Sequence, residues 1–315
     1  MTDETMWHSV LHKGVIGTFL KAPHTEATAL APGAPTAAIL GFPFDAMCIS
    51  RTGTNYGPRA LREASEQFTP YCANLDLDLR DHMRLVDCGD VPVVPGNAPV
   101  SMDAAEALLS AILASGAMPV MFGGDHSVTI AGVRAFAKAR KRPGLILVDH
   151  HFDTAQDVGG EPLSHCCPIT RAVDAGFDPS KIAIVATGGW MNPKSEFQYI
   201  HDHGIQLFPI EMIEREGAAA VAQKAAAVAS DGTDGVYLTY DIDAIDAAHA
   251  PGTGVPTPGG LTSREAIAIA ATLGKAADVQ AMDLVEVSPA WDNDGITSRL
   301  GVRLVLDFLA GTTRR

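Results

Sequence analysis

Three short segments and one isolated carboxylate gather the residues able to do chemistry in this chain. They are Gly123-Gly124-Asp125-His126-Ser127, Asp149-His150-His151-Phe152-Asp153, Asp241-Ile242-Asp243 and Glu286. In an extended segment alternate residues share a face, so 149, 151 and 153 project together, as do 241 and 243. With His126 they form a set of four carboxylates and two imidazoles. So many carboxylates cannot converge in an enclosed cleft without cations, because like charges in a low dielectric raise one another's pKa; two divalent ions balance them. A mixed oxygen and imidazole set without thiolate suits Mn²⁺, Ni²⁺ or Co²⁺, whereas structural Zn²⁺ usually recruits Cys and Mg²⁺ rarely takes His. Two ions bridged by aspartates lower the pKa of a shared water and present hydroxide at neutral pH. The implied chemistry is metal-assisted hydrolysis. Taken singly, GGDHS reads as a capping turn and DxD as a solvated strand end. Their conjunction points to a metal site.

The segments must be positioned by strands, and each follows one. Apolar, β-branched runs predict strands at Ala38–Gly41, Met118–Phe122, Leu145–Val148, Ile182–Val185, Val236–Tyr240 and Met282–Val285. Helical patterns lie between them, at Ala104–Ala114, Val128–Ala139, Gly217–Ala229, Arg264–Ala271 and Arg299–Leu309, with Asp103 and Ser263 as candidate N-caps. Continuously apolar strands alternating with helices predict a mostly parallel sheet covered by helices on both sides. In such sheets ligands bind outside the carboxyl ends of the strands, where His126, Asp149, Asp241 and Glu286 fall. No Ser/Gly linker divides the chain, so residues 1–315 are read as one domain, the first ~35 residues being an extension used in packing or assembly. The Pro/Gly-rich pieces Ala31–Pro35, Val91–Pro99 and Pro251–Gly260 read as surface loops.

Composition narrows the class further. Of the 315 residues, 47% are hydrophobic and 19% charged, which excludes a disordered chain. No apolar run approaches the roughly 20 residues needed to cross a bilayer. The 37 acidic and 23 basic residues leave a net charge of −14, which repels phosphate backbones and makes nucleic acid an improbable partner. The same charge attracts a small cationic substrate. Five cysteines, without a CxxC pair or a secretory leader, argue for a reducing, cytoplasmic setting.

These motifs resemble those of the ureohydrolases, the family of arginases, agmatinases and guanidinobutyrases. The resemblance runs from Gly41 to about Val305. It rests on GGDHS at 123–127, DxHxD at 149–153 and DIDAIDAAHAPGTGVPTPGGLTSRE at 241–265. GFPFDAMCISRTGTNYGPRALREAS at 41–65 and LVEVSPAWD at 284–292 are most similar to the agmatinase branch. It implies an arginase-like fold, a three-layer α/β/α sandwich around a mostly parallel sheet. It also implies a binuclear centre, usually of Mn²⁺, that cleaves a guanidino C–N bond and releases urea. On that resemblance His126, Asp149, Asp153 and Asp241 hold one metal; Asp149, His151, Asp241 and Asp243 hold the other. Asp153 also orients the bridging hydroxide, Glu286 grips the guanidinium, and His165 passes a proton to the leaving amine. Asp246 braces its loop rather than binding metal.

The departures from the family pattern cluster in loops expected to shape the substrate pocket. His150 stands where the family usually has Ala, and Cys166 where Gly is common. Val185-Ala186-Thr187-Gly188-Gly189-Trp190 replaces an Ile-Gly-Ile-Arg-Gly-like segment, and Ala247 replaces a proline. Cys166 and Trp190, with Phe152 and Met191, become candidate pocket residues suited to a guanidine or biguanide carrying alkyl groups. Two substrate classes stay open: a guanidinoalkyl compound, as for agmatinases, or guanidine and dimethylbiguanide (metformin), as for nickel-dependent relatives. The metformin enzymes among those relatives pair an active subunit with one that has lost metal ligands. This chain keeps all six, so it would be the active partner in such a pair. The family otherwise favours homotrimers and hexamers. Zinc deacetylases share the fold, but His126, Asp153 and Glu286 argue against one, and the unbroken ligand set argues against a non-catalytic subunit.

Overall fold

The computed structural model describes residues 17–33, 36–276 and 278–314. Its strands are β1 (Thr36–Gly41), β2 (Tyr71–Cys72), β3 (Leu77–Asp78), β4 (Arg84–Asp90), β5 (Met118–Phe122), β6 (Gly144–Val148), β7 (Ile182–Val185), β8 (Gln206–Phe208), β9 (Val236–Asp241) and β10 (Val279–Val285). Eight of them form one parallel sheet in the order β4-β1-β5-β10-β9-β6-β7-β8, and β2 and β3 form a small antiparallel ladder. The helices are α1 (Gly57–Ser65), α2 (Ala98–Ala114), α3 (Thr129–Ala139), α4 (Pro168–Ala175), α5 (Lys194–His203), α6 (Ile210–Glu216), α7 (Ala218–Ser230), α8 (Ser263–Ala276) and α9 (Ile296–Thr312).

The two-residue period of the strands makes this a three-layer structure. On β6, Ile146 and Val148 enter one buried cluster while Leu145 and Leu147 enter the other; on β7, Ala183 and Val185 face one way and Ile182 and Ile184 the other. Leu61 of α1 and residues of α6, α7, α8 and α9, including Ile213, Val221, Ile269 and Val305, complete the first cluster. Residues of α2, α3, α4 and α5, including Met102, Phe136, Ile169 and Ile200, complete the second. A sheet buried on both faces has no solvent side for polar residues, which is why its strands read as unbroken apolar runs.

Residues 1–16, 34 and 35 of the expected N-terminal extension lie outside the described residues. The described part packs inward. Phe19 is fully buried, edge-on to Phe122 with ring centroids 4.9 Å apart, and its N–H donates to Asp87 Oδ2 at 2.8 Å. That carboxylate also takes a paired contact from buried Arg62, Nε to Oδ2 and Nη2 to Oδ1, both at 2.9 Å.

Several helix starts differ from the sequence expectation. Asn97, not Asp103, caps α2, accepting from Val100 N–H at 3.2 Å, and Pro99 sits in the first turn. Proline there loses a donor that has no intrahelical partner anyway, so a piece that reads as loop belongs to the helix. At α8 the reciprocal bonds join Thr262 and Glu265: Glu265 Oε2 accepts from Thr262 N–H at 2.9 Å and Thr262 Oγ1 from Glu265 N–H at 3.3 Å. The capping box starts one residue before Ser263. The piece Pro251–Gly260 is not a plain surface loop, since Thr253 and Thr257 are fully buried within it. Thr257 donates to the carbonyl of Asp243 at 2.6 Å.

Candidate metal centre

The sheet order makes β5, β10, β9 and β6 neighbours at its middle. Their carboxyl ends are aligned, Leu284 pairing with Phe122 and Tyr240, and Val148 with Tyr240. The four segments that carry the candidate ligands therefore leave the sheet side by side. Gly124 lets the loop after β1 press against the first of them: a Cβ there would stand 1.7 Å from the carbonyl oxygen of Phe44.

His126, Asp149, Asp241 and Asp243 converge almost entirely buried, with Asp153 at 9% exposure and His151 at 18% for its side chain. His126 Nδ1 faces Asp153 Oδ2 at 2.8 Å, Asp241 Oδ2 at 3.0 Å and Asp149 Oδ2 at 3.2 Å. His151 Nδ1 lies 3.3 Å from Asp149 Oδ1 and 3.3 Å from Asp243 Oδ2. Two donor sets result, His126–Asp149–Asp153 and Asp149–His151–Asp243, with ligand atoms within 4.8 Å of one another in each. They share Asp149. Asp241 joins the first through Oδ2, while its Oδ1 accepts from Asp243 N–H at 2.8 Å.

The residues fit a pair of divalent ions. His126 Nδ1, Asp149 Oδ2 and Asp243 Oδ1 are buried without a hydrogen-bond partner, a costly arrangement unless a cation supplies the missing contact. Electrostatics agrees. Burial, with Asp243 and Asp149 beside it, holds the Asp241 carboxyl well above the usual range, and burial lifts Asp243 to about 7. Asp153 is also raised, by burial and then by Asp149. Burial works against ionised Asp149 too, but contact with His126 and His151 overcomes it and holds the carboxyl low. Both imidazoles shift upward: burial disfavours their charged forms and the surrounding carboxylates outweigh it. Their protons balance negative charge in the places divalent ions would.

Backbone strain marks the same site. Asp153 (φ 50°) and Glu286 (φ 63°) adopt left-handed conformations, which cost a non-glycine residue about 1–2 kcal/mol. Tertiary bonds hold each in place. Glu286 N–H donates to the carbonyl of Gly124 at 2.8 Å, and the carbonyl of Asp153 accepts from Ile169 N–H at 3.1 Å. The Glu286 carboxylate is divided between two tasks. Its Oε1 accepts from His126 N–H at 2.8 Å and from His165 Nδ1 at 3.0 Å, while Oε2 is buried and has no partner. His165 Nε2 accepts a longer bond, 3.3 Å, from Ile49 N–H. Burial disfavours the charged ring, but Cys166 and Glu286 shift His165 towards the cation. The weak Ile49 contact gives way when Nε2 takes a proton.

A cleft of about 840 Å³ opens over the cluster, a size suited to a small molecule. His126, His151, Asp153, His165, Cys166, Asp241, Asp243 and Glu286 line it, with Ile49, Met191, Asn192, Glu196 and Val255 further out. Trp190 does not. It is fully solvent-exposed and absent from the lining, beside Gly188 and Gly189, the latter at φ 68°. Beneath those glycines lies His150, its ring 3.1 Å from where a Cβ on either would stand. It is buried behind the ligand segment. Phe152 is buried against Phe197. Asp246 accepts from the N–H groups of Ala248 and Gly259 and does not enter the cluster.

Sequence reasoning passed over Asp125, although it lies inside GGDHS. Its Oδ2 accepts from Met47 N–H at 2.9 Å and its Oδ1 from Ser127, so it ties the 44–49 loop to the ligand turn. Asn192 and Glu196 were missed for want of any motif. Asn192 bonds Phe152 N–H and the carbonyls of His150 and Gly188, and Glu196 accepts from Thr154 N–H at 3.0 Å.

Comparison with known proteins agrees with this geometry. The model of the Arginase family matches residues 35–311. An agmatinase of Bacillus subtilis is 34% identical over 87% of this chain and 91% of its own length. A guanidinobutyrase of Pseudomonas aeruginosa is 32% identical over 96% of this chain and 95% of its own. The solved structure of proclavaminate amidino hydrolase from Streptomyces clavuligerus superposes with a TM-score of 0.86 at 30% identity, covering 95% of this chain and 97% of that one. The five thiols are all free, and no helix among the described residues is long and apolar enough to cross a membrane. The chain belongs to the arginase family, in its agmatinase-like branch, and is a hydrolase of the ureohydrolase type.

Proposed function

We propose that this chain hydrolyses a C–N bond of a small guanidine whose substituent is cationic or uncharged, giving urea (or a substituted urea) and an amine. The observation that carries this reading is the divided carboxylate of Glu286. Oε1 is held by His126 and His165, and Oε2 is left without a partner beside the ligand cluster. A buried anionic oxygen with nothing to accept from suits the N–H groups of a guanidinium, and charge-assisted bonds there hold the guanidino carbon over the metal ligands.

His126, Asp149, Asp153 and Asp241 would hold one ion, and Asp149, His151, Asp241 and Asp243 the other. Mn²⁺ and Ni²⁺ both suit such donors. When bound, the pair supplies Lewis acidity and a water activated at neutral pH. Asp153, held beside His126 by its strained backbone, orients the attacking water through its carboxylate. His165 holds a proton at Nε2 and gives it to the leaving nitrogen, Glu286 stabilising the charged ring meanwhile. Ile49, Met191 and Val255 give the cleft apolar lining alongside its polar groups.

The substituent is inferred from charge. Among the described residues no Lys or Arg lines the cleft, whereas Asp157 and Glu196 do. A carboxylate tail would find no counter-ion there; an ammonium or alkyl tail meets no penalty. The test is a parallel turnover assay of agmatine, guanidine, dimethylbiguanide and 4-guanidinobutyrate, each with Mn²⁺ and with Ni²⁺. One of the first three should give the highest kcat/KM. Preference for guanidinobutyrate would refute the charge argument, and turnover of none would refute the proposed reaction.

A further inference from the structure

The imidazole of His126 has a second side, and it leads away from the cleft. Nε2 lies 3.0 Å from the hydroxyl of Thr239, which is 3.3 Å from that of Thr129. Thr129 donates to Asp283 Oδ2 at 2.9 Å, and Tyr237 donates to the same oxygen at 2.6 Å. All these side chains are buried, Thr129, Thr239 and Asp283 completely. Apart from His126, none lines the cleft.

The elements explain the convergence. Tyr237, Thr239 and Asp241 alternate along β9, so Tyr237 and Thr239 face the same side of the sheet as Asp241, the ligand that ends the strand. Asp283 lies on β10 in register with Thr239, and Thr129 opens α3 on that face. Gly132 of α3 makes room: a Cβ there would stand 2.0 Å from the Tyr237 hydroxyl. Glycine inside a helix is less favourable than alanine, and here it lets Tyr237 reach the carboxylate.

Proton order in this chain follows from its far end. Thr129 and Tyr237 both give their hydrogens to Asp283 Oδ2. With its own hydrogen spent, Thr129 faces Thr239 as an acceptor, so Thr239 donates to it. Thr239 then faces His126 with a lone pair, which places the imidazole hydrogen on Nε2 and leaves Nδ1 free towards Asp149, Asp153 and Asp241. We propose that Thr239, Thr129 and Asp283, supported by Tyr237, are positioning residues that lock His126 in its metal-binding tautomer. The inference rests on the two-ion reading, and it assigns this network to the ion held by His126 rather than to the one held by His151.

Calorimetric titration of the full chain with Mn²⁺, after stripping with a chelator, tests this without reference to turnover. Wild type should bind two ions. Thr239→Val removes the hydroxyl with little change of shape, and should weaken one of the two sites about 10- to 100-fold while leaving the other within about threefold. Thr239→Ser should restore wild-type binding. Because a buried change can affect folding, thermal unfolding of each stripped variant is measured alongside. If Thr239→Val does not fold, the titration is read on Tyr237→Phe, which should weaken the same site by a smaller factor. Two unaltered sites in the folded variant, or equal weakening of both, would overturn the proposal. A wild type binding fewer than two ions would instead overturn the two-ion reading. Nitrogen chemical shifts of His126 in the wild type give an independent reading. Protonation at Nε2 is expected, and protonation at Nδ1 alone would contradict the network.

Discussion

Replacing Glu286 by Gln changes the donor and acceptor pattern of the cleft at one atom. Oε1 already accepts from His126 N–H and His165 Nδ1, and a glutamine amide oxygen can keep both bonds. The NH₂ group then takes the place of Oε2, the oxygen without a partner, and presents a donor where the guanidinium also presents donors. The loss has two parts. A charge-assisted hydrogen bond worth about 1.5–3 kcal/mol disappears, and a buried N–H of the substrate goes unpaired at about 1–3 kcal/mol. Together they amount to about 2.5–6 kcal/mol, or roughly 10²- to 10⁴-fold in kcat/KM at about 1.36 kcal/mol per factor of ten. Folding should be almost unaffected, because the two internal bonds survive. So should metal content, because Glu286 is outside both donor sets. The assay is steady-state hydrolysis of the preferred guanidine, with metal analysis and thermal unfolding of the same preparations. A kcat/KM within tenfold of wild type, with metal and stability intact, would refute the assignment of Oε2 to the guanidinium.

Other consequences concern the scaffold. Arg62→Ala would leave the Asp87 carboxylate buried without its charged partner and should cost about 3–5 kcal/mol in urea unfolding; a loss under about 1 kcal/mol would contradict the role given to that pair. Burial pushes the Cys88 and Cys167 thiols up to about 12, and only the thiolate reacts. Native protein treated with iodoacetamide at pH 8 should therefore keep both unmodified by mass spectrometry, and rapid stoichiometric labelling of either would count against their environments. Burial also raises the Glu196 carboxyl from 4.5 to about 7, so the folded chain binds that proton more tightly than the unfolded one. The resulting penalty is absent below about pH 4.5 and complete above about pH 7. Glu196→Gln should accordingly raise the Tm of the stripped chain more at pH 8 than at pH 5, and equal shifts would be the contrary result.

What the amino-acid sequence revealed follows from which forces are local. β5 and β7 were predicted with the bounds observed, since a strand buried on both faces is a run of apolar residues between turns. β4 was missed because its buried stretch includes Asp87, whose charge is met by Arg62 from 25 residues away. β8 has three residues, too few for a pattern, and α4, α5 and α6 run for only two or three turns. The six candidate metal ligands were legible for a similar reason. Each ends a strand or follows one closely, and aligned strand ends bring them together. Trp190 shows the converse. Its place in a segment that departs from the family pattern made it a candidate for the pocket, but a loop's path is set by tertiary packing, and the side chain stands fully exposed outside the cleft. Thr239 and Asp283 act through partners far apart in the chain, so no local spacing could have singled them out, whereas Asp125 stood inside a motif but takes its tie to Met47 from 78 residues away.

The central claim is a two-ion centre shared through Asp149, and the most direct test is the equilibrium metal content of the full chain. Wild type loaded with Mn²⁺ and freed of excess should hold two ions per chain. Asp149→Ala, which removes the residue common to both donor sets, should hold fewer than one. A wild-type content of one ion, or a content of two that survives Asp149→Ala, would contradict the account.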